Sequence, residues 1–176
     1  NEEQTREVRH QARAEGFEAE GAAAEPSARS EYGNHGGVLS FTKKCWQVSP
    51  LDRVAWKLDG PGRLTGQQVT IDGAELLVFC CYFDGECKFG GINCDLLGHI
   101  AYMTRNGRRN FLVCADFNFE VAGWSQFSHP WLQRLSAVTR VPTNVDHTCK
   151  SGKQRVLDYL ICSDRVAPLI EKVYAD

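Results

Sequence analysis

Phe111-Leu112-Val113-Cys114-Ala115-Asp116-Phe117-Asn118 reads as a strand that ends in two polar side chains. Five consecutive apolar residues without a helical period predict a strand covered on both faces. Extended residues two apart point the same way, so Asp116 and Asn118 are expected to project together from a rigid strand end. A carboxylate accepts hydrogen bonds, and an amide both donates and accepts them. Such a pair can hold a water and a phosphate oxygen in fixed relation. The same residues also suit an Asp/Asn turn that merely ends a strand.

A second apolar run, Val156-Leu157-Asp158-Tyr159-Leu160-Ile161-Cys162, has Asp158 at its middle. Burying a lone carboxylate is costly, so Asp158 is expected to have a partner. That partner is either a histidine ring that it orients, or an arginine or backbone amides. Further upstream, Asn34-His35-Gly36-Gly37-Val38 opens a strand on glycines that allow close backbone approach. His35 reads there as a loop histidine.

The rest of the chain alternates strands and helices. A helix is expected over 2–17 with a stop near Gly16, then a mobile loop over 18–34. Strands follow at 37–41 and 54–58. Strands at 68–71 and 76–83 flank Asp72-Gly73, a hairpin signal. Leu96, Leu97, Ile100 and Met103 repeat at helical spacing within 92–103. Short helices are expected over 130–138 and 167–173. Strands interspersed with helices predict stacked sheets covered by helices.

The 176 residues suffice for one domain with a real core, and 43% hydrophobic with 24% charged residues is ordinary for a globular protein. A net charge of -2 supplies no global attraction for nucleic acid, although a local basic patch can coexist with it. The eight cysteines form no CxxC pair, which argues against zinc. Cys80, Cys81, Cys114 and Cys162 lie in apolar runs and read as buried free thiols of a reducing compartment. No apolar run reaches membrane-spanning length, and Asn1-Glu2-Glu3-Gln4 does not resemble a secretory leader. The expectation is an intracellular protein, cytoplasmic or nuclear.

Taken in order, four segments resemble the endonuclease/exonuclease/phosphatase superfamily. They are His35-Gly36-Gly37-Val38, Val78-Phe79-Cys80-Cys81-Tyr82, Cys114-Ala115-Asp116-Phe117-Asn118 and Val156 through Ser163. The resemblance spans residues 31–166. It implies an α/β (α+β) fold of DNase I type: a four-layer sandwich of two mostly antiparallel sheets packed face to face, with helices outside. Residues 1–30 would be a helix and loop of that domain, and 31–176 its body, truncated at both ends.

The resemblance also implies roles. Asp116 would position or deprotonate the attacking water, and Asn118 would hold the phosphate. Tyr82 would polarise it, and Asp158 would orient a catalytic histidine. Thr148 resembles a hydroxyl placed beside the phosphate, though it also suits a plain strand edge. Mg2+ or Mn2+ is the implied cofactor, with Asp116 a possible ligand. The family's metal-binding Glu and its terminal Ser-Asp-His motif have no counterpart here, which predicts weak metal binding and little or no activity from this chain. Ala115 stands where the family usually has Gly.

The basic loop Lys150-Ser151-Gly152-Lys153-Gln154-Arg155 precedes the Asp158 strand. Lys150, Lys153 and Arg155, with Asn34, are therefore candidate substrate contacts. Arg105, Arg108 and Arg109 fall at the opposite end of the Asp116 strand. The segments around Thr148 and Trp131 look most like retrotransposon endonucleases. DNA is the expected partner, with a reverse-transcriptase domain in the full protein and a monomeric state. Alternatives are a non-catalytic or decayed nucleic-acid-binding domain, and a phosphoesterase acting on another substrate such as a phosphoinositide.

Overall fold

Asp72 and Gly73 both take positive φ, 50° and 80°, which is the geometry of a tight hairpin turn. That turn joins two strands in a computed structural model that describes residues 2–26, 34–51, 61–127, 129–149 and 155–175. The expected strand 54–58 and the side chains of Lys150 and Lys153 lie outside the described residues. The chain divides into two compact units, Asn1–Tyr82 and Phe83–Asp176.

The first unit begins with helix α1 (Glu2–Ala14), which stops at Gly16 in the left-handed region. Its strands are β1 (Phe17–Ala22), β2 (Glu25–Pro26), β3 (Asn34–His35), β4 (Val38–Lys43), β5 (Gln47–Pro50), β6 (Leu64–Ile71) and β7 (Ala74–Tyr82). β1 pairs with β4, β2 with β3, and β5, β6 and β7 follow one another, all antiparallel. The β1–β4 pair packs between α1 and the β6–β7 hairpin. Inside that interface Ser40 and Thr42 both donate to Gln67 Oε1, so the buried polar groups satisfy one another.

The strand β1 replaces the mobile loop expected there. Its residues, Phe-Glu-Ala-Glu-Gly-Ala, have weak strand propensity. The missing side chain of Gly21 is what pairing requires: a Cβ there would sit 2.3 Å from Leu39 Cδ2 and 2.7 Å from Val38 O. Tertiary pairing overrides local preference here.

The second unit carries α2 (Gly91–Met103), β8 (Phe111–Asp116), α3 (Ala122–Phe127), α4 (His129–Arg134), β9 (Ala137–Arg140) and β10 (Asp158–Ser163). β10 lies between β8 and β9, antiparallel to both. The helix expected over 130–138 is therefore shorter: it stops at Arg134, and residues 137 and 138 already belong to β9. Ser136, at φ 48°, makes the break between them. The expected terminal helix is a single 3-10 turn, Ala167–Leu169, after which Thr143 and Asn144 hydrogen-bond the extended segment at Val173 and Ala175.

β8 is not covered on both faces as its composition suggested. Phe111, Val113 and Ala115 are buried, while Leu112, Cys114 and Asp116 are half-buried. Cys81 and Cys162 are buried, but Cys45 and Cys94 are exposed. Among the described residues no helix is long and apolar enough to cross a membrane.

Among the described glycines of this unit, Gly107, in the link from α2 to β8, meets the closest backbone. Gly107 has φ 79°, and a Cβ there would lie 2.2 Å from Leu135 O. Gly107→Ala is expected to lose about 2–4 kcal/mol in urea unfolding. Gly73→Ala, which meets open space, should lose only about 1 kcal/mol. Equal small losses would show that the 107–135 contact is soft.

Candidate functional site

The antiparallel register sets Asp116 of β8 directly opposite Asp158 of β10. Side chains of directly opposed residues share one face and stand about 5 Å apart at Cβ. The two carboxyls therefore meet at one end of the sheet. On the other face Tyr159 pairs with Ala115 and its ring stacks on Phe117, 4.1 Å between centroids at 13°. The period-two alternation thus separates a carboxylate face from an aromatic anchor.

That anchor is polar at its tip. Trp124 Nε1 donates to Tyr159 Oη at 2.6 Å, and Tyr159 Oη donates to Phe119 O at 3.2 Å. Burial pushes the Tyr159 phenol well up, aided by the Asp116 charge and opposed by the Trp124 bond. Phe117 and Trp124 are fully buried, so they belong to the core and are not available to stack on bases.

Asp158 is not the buried mid-strand carboxylate that its apolar neighbours suggested. It is the first residue of β10 and is exposed. The contact with the β8 side runs one residue further upstream, where Leu157 O accepts from Phe117 N at 2.9 Å. Thr148 Oγ1 accepts from both Leu157 N (2.9 Å) and Asp158 N (3.0 Å). Thr148 therefore pins the start of β10, and its own hydroxyl hydrogen remains to donate. Water solvates Asp158, so no buried partner is needed. The histidine that the resemblance pairs with Asp158 is not among its described partners.

Asn118 also departs from the expected extended geometry. β8 ends at Asp116, and Asn118 has φ 57°. Its N–H donates to Asp116 Oδ1 at 2.9 Å, closing an Asx turn, and its Nδ2 donates to Phe83 O at 2.7 Å. The turn reading of the sequence is met, and the turn together with the Phe83 bond fixes where the amide lies. One amide hydrogen and Oδ1 remain for other partners.

Asp116 titrates above the usual aspartate range. Partial burial is the main cause, and the nearby Asp158 charge adds to it; the Asn118 N–H opposes both. Among the described residues, no three His, Cys, Asp or Glu side chains converge as a metal cluster.

Asn34 is on β3, and Tyr82 ends β7, both in the first unit. The backbone of Arg155 bridges Cys149 and accepts from Thr148 N at 3.0 Å, so it flanks the Thr148 clamp. Arg108 and Arg109 precede Phe111, at the β8 end opposite Asp116. Arg165 Nη2 caps that link by donating to the carbonyls of Gly107 and Arg108.

Two residues escaped the sequence reading. Arg63 lies over the Tyr82 ring, and its signal was masked by a Gly-Pro-Gly loop. His147 Nδ1, one residue before Thr148, is buried with no hydrogen-bond partner among the described residues.

Comparison with solved structures identifies the fold. The chain is similar to the human nocturnin catalytic domain at 15% identity and TM-score 0.62, covering 89% of this chain and 64% of that one. It is similar to the endonuclease domain of TRAS1, a telomere-specific non-LTR retrotransposon, at 14% identity and TM-score 0.60, covering 88% and 70%. It is similar to an endonuclease/exonuclease/phosphatase from Bacteroides vulgatus at 16% identity and TM-score 0.58, covering 88% and 67%. The fold is the DNase I-like fold of these proteins, as the four segments implied. The chain spans 64% of the length of the nocturnin domain. No family model matches the sequence, and no curated protein does.

A carboxyl whose pKa is raised by folding favours the folded state while protonated. That contribution is present at low pH and is lost as pH rises through the folded-state pKa. Asp116→Asn should therefore unfold about 2 °C higher than the parent at pH 7, with the gap closing as pH falls below the carboxylate range. A gap that is constant with pH would show that Asp116 ionisation is not strained.

Proposed function

We propose that this chain is the core of a phosphodiester hydrolase that acts on DNA, of the retroelement endonuclease type. The observation that carries the proposal is the register that opposes Asp116 and Asp158. Two hard-oxygen groups at a strand end, one of them with a raised pKa, suit proton transfer from water and charge control at a phosphate.

In this reading Asp116 orients the attacking water and takes its proton. Its Oδ1 is held by the Asn118 N–H, so the carboxyl cannot swing away. The remaining amide hydrogen of Asn118 donates to a phosphate oxygen, and the Thr148 hydroxyl donates to a second. Arg155, Lys150 and Lys153 supply positive charge along the backbone of the nucleic acid. Tyr82 and Asn34, which belong to the first unit, are substrate contacts of that unit.

The donor set suits a hard cation. Mg2+ commonly takes one or two carboxylates and completes its shell with waters and phosphate oxygens. The mutual repulsion that helps raise Asp116 is what a cation would relieve. Asp116 and Asp158 would hold Mg2+ or Mn2+, which when bound offsets the negative charge that builds on the phosphate oxygens. The likeness to the TRAS1 endonuclease domain supports DNA as substrate.

The test is nicking of supercoiled plasmid with Mg2+ present and with EDTA. Nicking, expected to be weak from this chain, should require the metal and be abolished in Asp116→Ala. Thr148→Val should also lower it, by about tenfold. Metal-independent nicking, or nicking untouched by Asp116→Ala, would overturn the proposal. DNA binding with a steep salt slope but no cleavage would instead favour the non-catalytic binding domain.

A further inference from the structure

We propose that Arg63 is a positioning residue for Tyr82, holding the ring in the pose that presents its hydroxyl to a phosphate. The inference rests on the proposed function in one respect, that Tyr82 touches substrate. Both residues belong to the first unit.

Leu64 of β6 pairs with Cys81 of β7, so the residue before Leu64 faces the residue after Cys81. That places Arg63 opposite Tyr82 at the open end of the hairpin. The guanidinium carbon of Arg63 lies 5.3 Å from the Tyr82 ring centroid, and its Nη1 donates to Tyr82 O at 3.5 Å. The side chain thus grips its neighbour twice, by ring face and by backbone. Arg63 is 9% exposed. Keeping a guanidinium out of water is costly, so the position selects for what only that group does. A planar cation lies flat on an aromatic face, which a lysine ammonium does not reproduce.

The base of Arg63 is held in turn. Gly37 N donates to Gly62 O at 2.8 Å. Gly36, at φ 81°, packs so closely that a Cβ there would sit 3.2 Å from Gly62 O and 3.5 Å from Arg63 Cγ. The two glycines that open β4 therefore have a physical task. They let the backbone close on the 62–63 turn, which fixes Arg63, which fixes Tyr82. With one ring face covered by the guanidinium, rotation of the phenol is restricted. An ordered hydroxyl contributes more to binding a phosphate than one that samples several rotamers.

The test compares Arg63→Gln and Arg63→Lys with the parent, alone and combined with Tyr82→Leu. Two readouts are used: binding of a fluorescein-labelled DNA duplex by anisotropy, and the ring resonances of Tyr82 in protein carrying 13C-labelled tyrosine. Both Arg63 variants should shift the Tyr82 ring resonances and weaken duplex binding about tenfold. In the Tyr82→Leu background the same changes at Arg63 should alter binding less than about twofold. Equal loss in both backgrounds would mean that Arg63 acts without Tyr82, and unmoved Tyr82 resonances would mean that it does not hold the ring; either result overturns the inference. Should Arg63→Gln not fold, Arg63→Lys reads the same coupling. If the parent binds no duplex, the proposed function fails, while the Tyr82 resonances still decide whether Arg63 fixes the ring.

Discussion

Two like-charged side chains are held face to face by an antiparallel ladder. The register of β8 against β10 opposes Asp116 and Asp158, a pairing that sheets ordinarily avoid because like charges repel. The cost is visible in Asp116, whose carboxyl is raised first by burial and then by its neighbour. A fold that keeps such a pair must hold it from elsewhere, and most of the second unit can be read as that support.

The support is of three kinds. The aromatic block on the opposite face, centred on the Phe117–Tyr159 stack, resists separation of the strands. The Thr148 hydroxyl takes the first amide of β10 and so prevents the strand from sliding. The Asx turn from Asp116 to Asn118 ties one carboxyl oxygen down. The repulsion between the two carboxyls is thus confined to one strand end.

The fold was legible wherever apolar runs had strand or helix period. β8, the β6–β7 hairpin with its Asp72-Gly73 turn, and the helix α2 all came from local pattern. β1 did not, because Gly21 is required by how closely β4 approaches, which no local rule reports. Asp116 and Asn118 were legible as a pair from their place after the strand, but their geometry was not. The extended reading missed the left-handed φ of Asn118, since Asn tolerates that region and nothing beside it demands either choice. Asp158 was misplaced into the core because Val156 and Leu157 are apolar, although the strand begins after them. Arg63 was invisible, because a lone arginine near a loop gains meaning only when the hairpin register sets it against Tyr82.

The pairing of the two carboxyls is most directly measured by 13C NMR of the Asp116 carboxyl as pH is varied, in the parent and in Asp158→Asn. The account predicts that Asp116 titrates above the ordinary aspartate range, and that Asp158→Asn lowers its midpoint partway, since burial persists when the neighbouring charge is gone. An Asp116 midpoint that does not move when Asp158 is neutralised would show that the carboxyls do not face one another, and the hydrolase reading would lose its foundation.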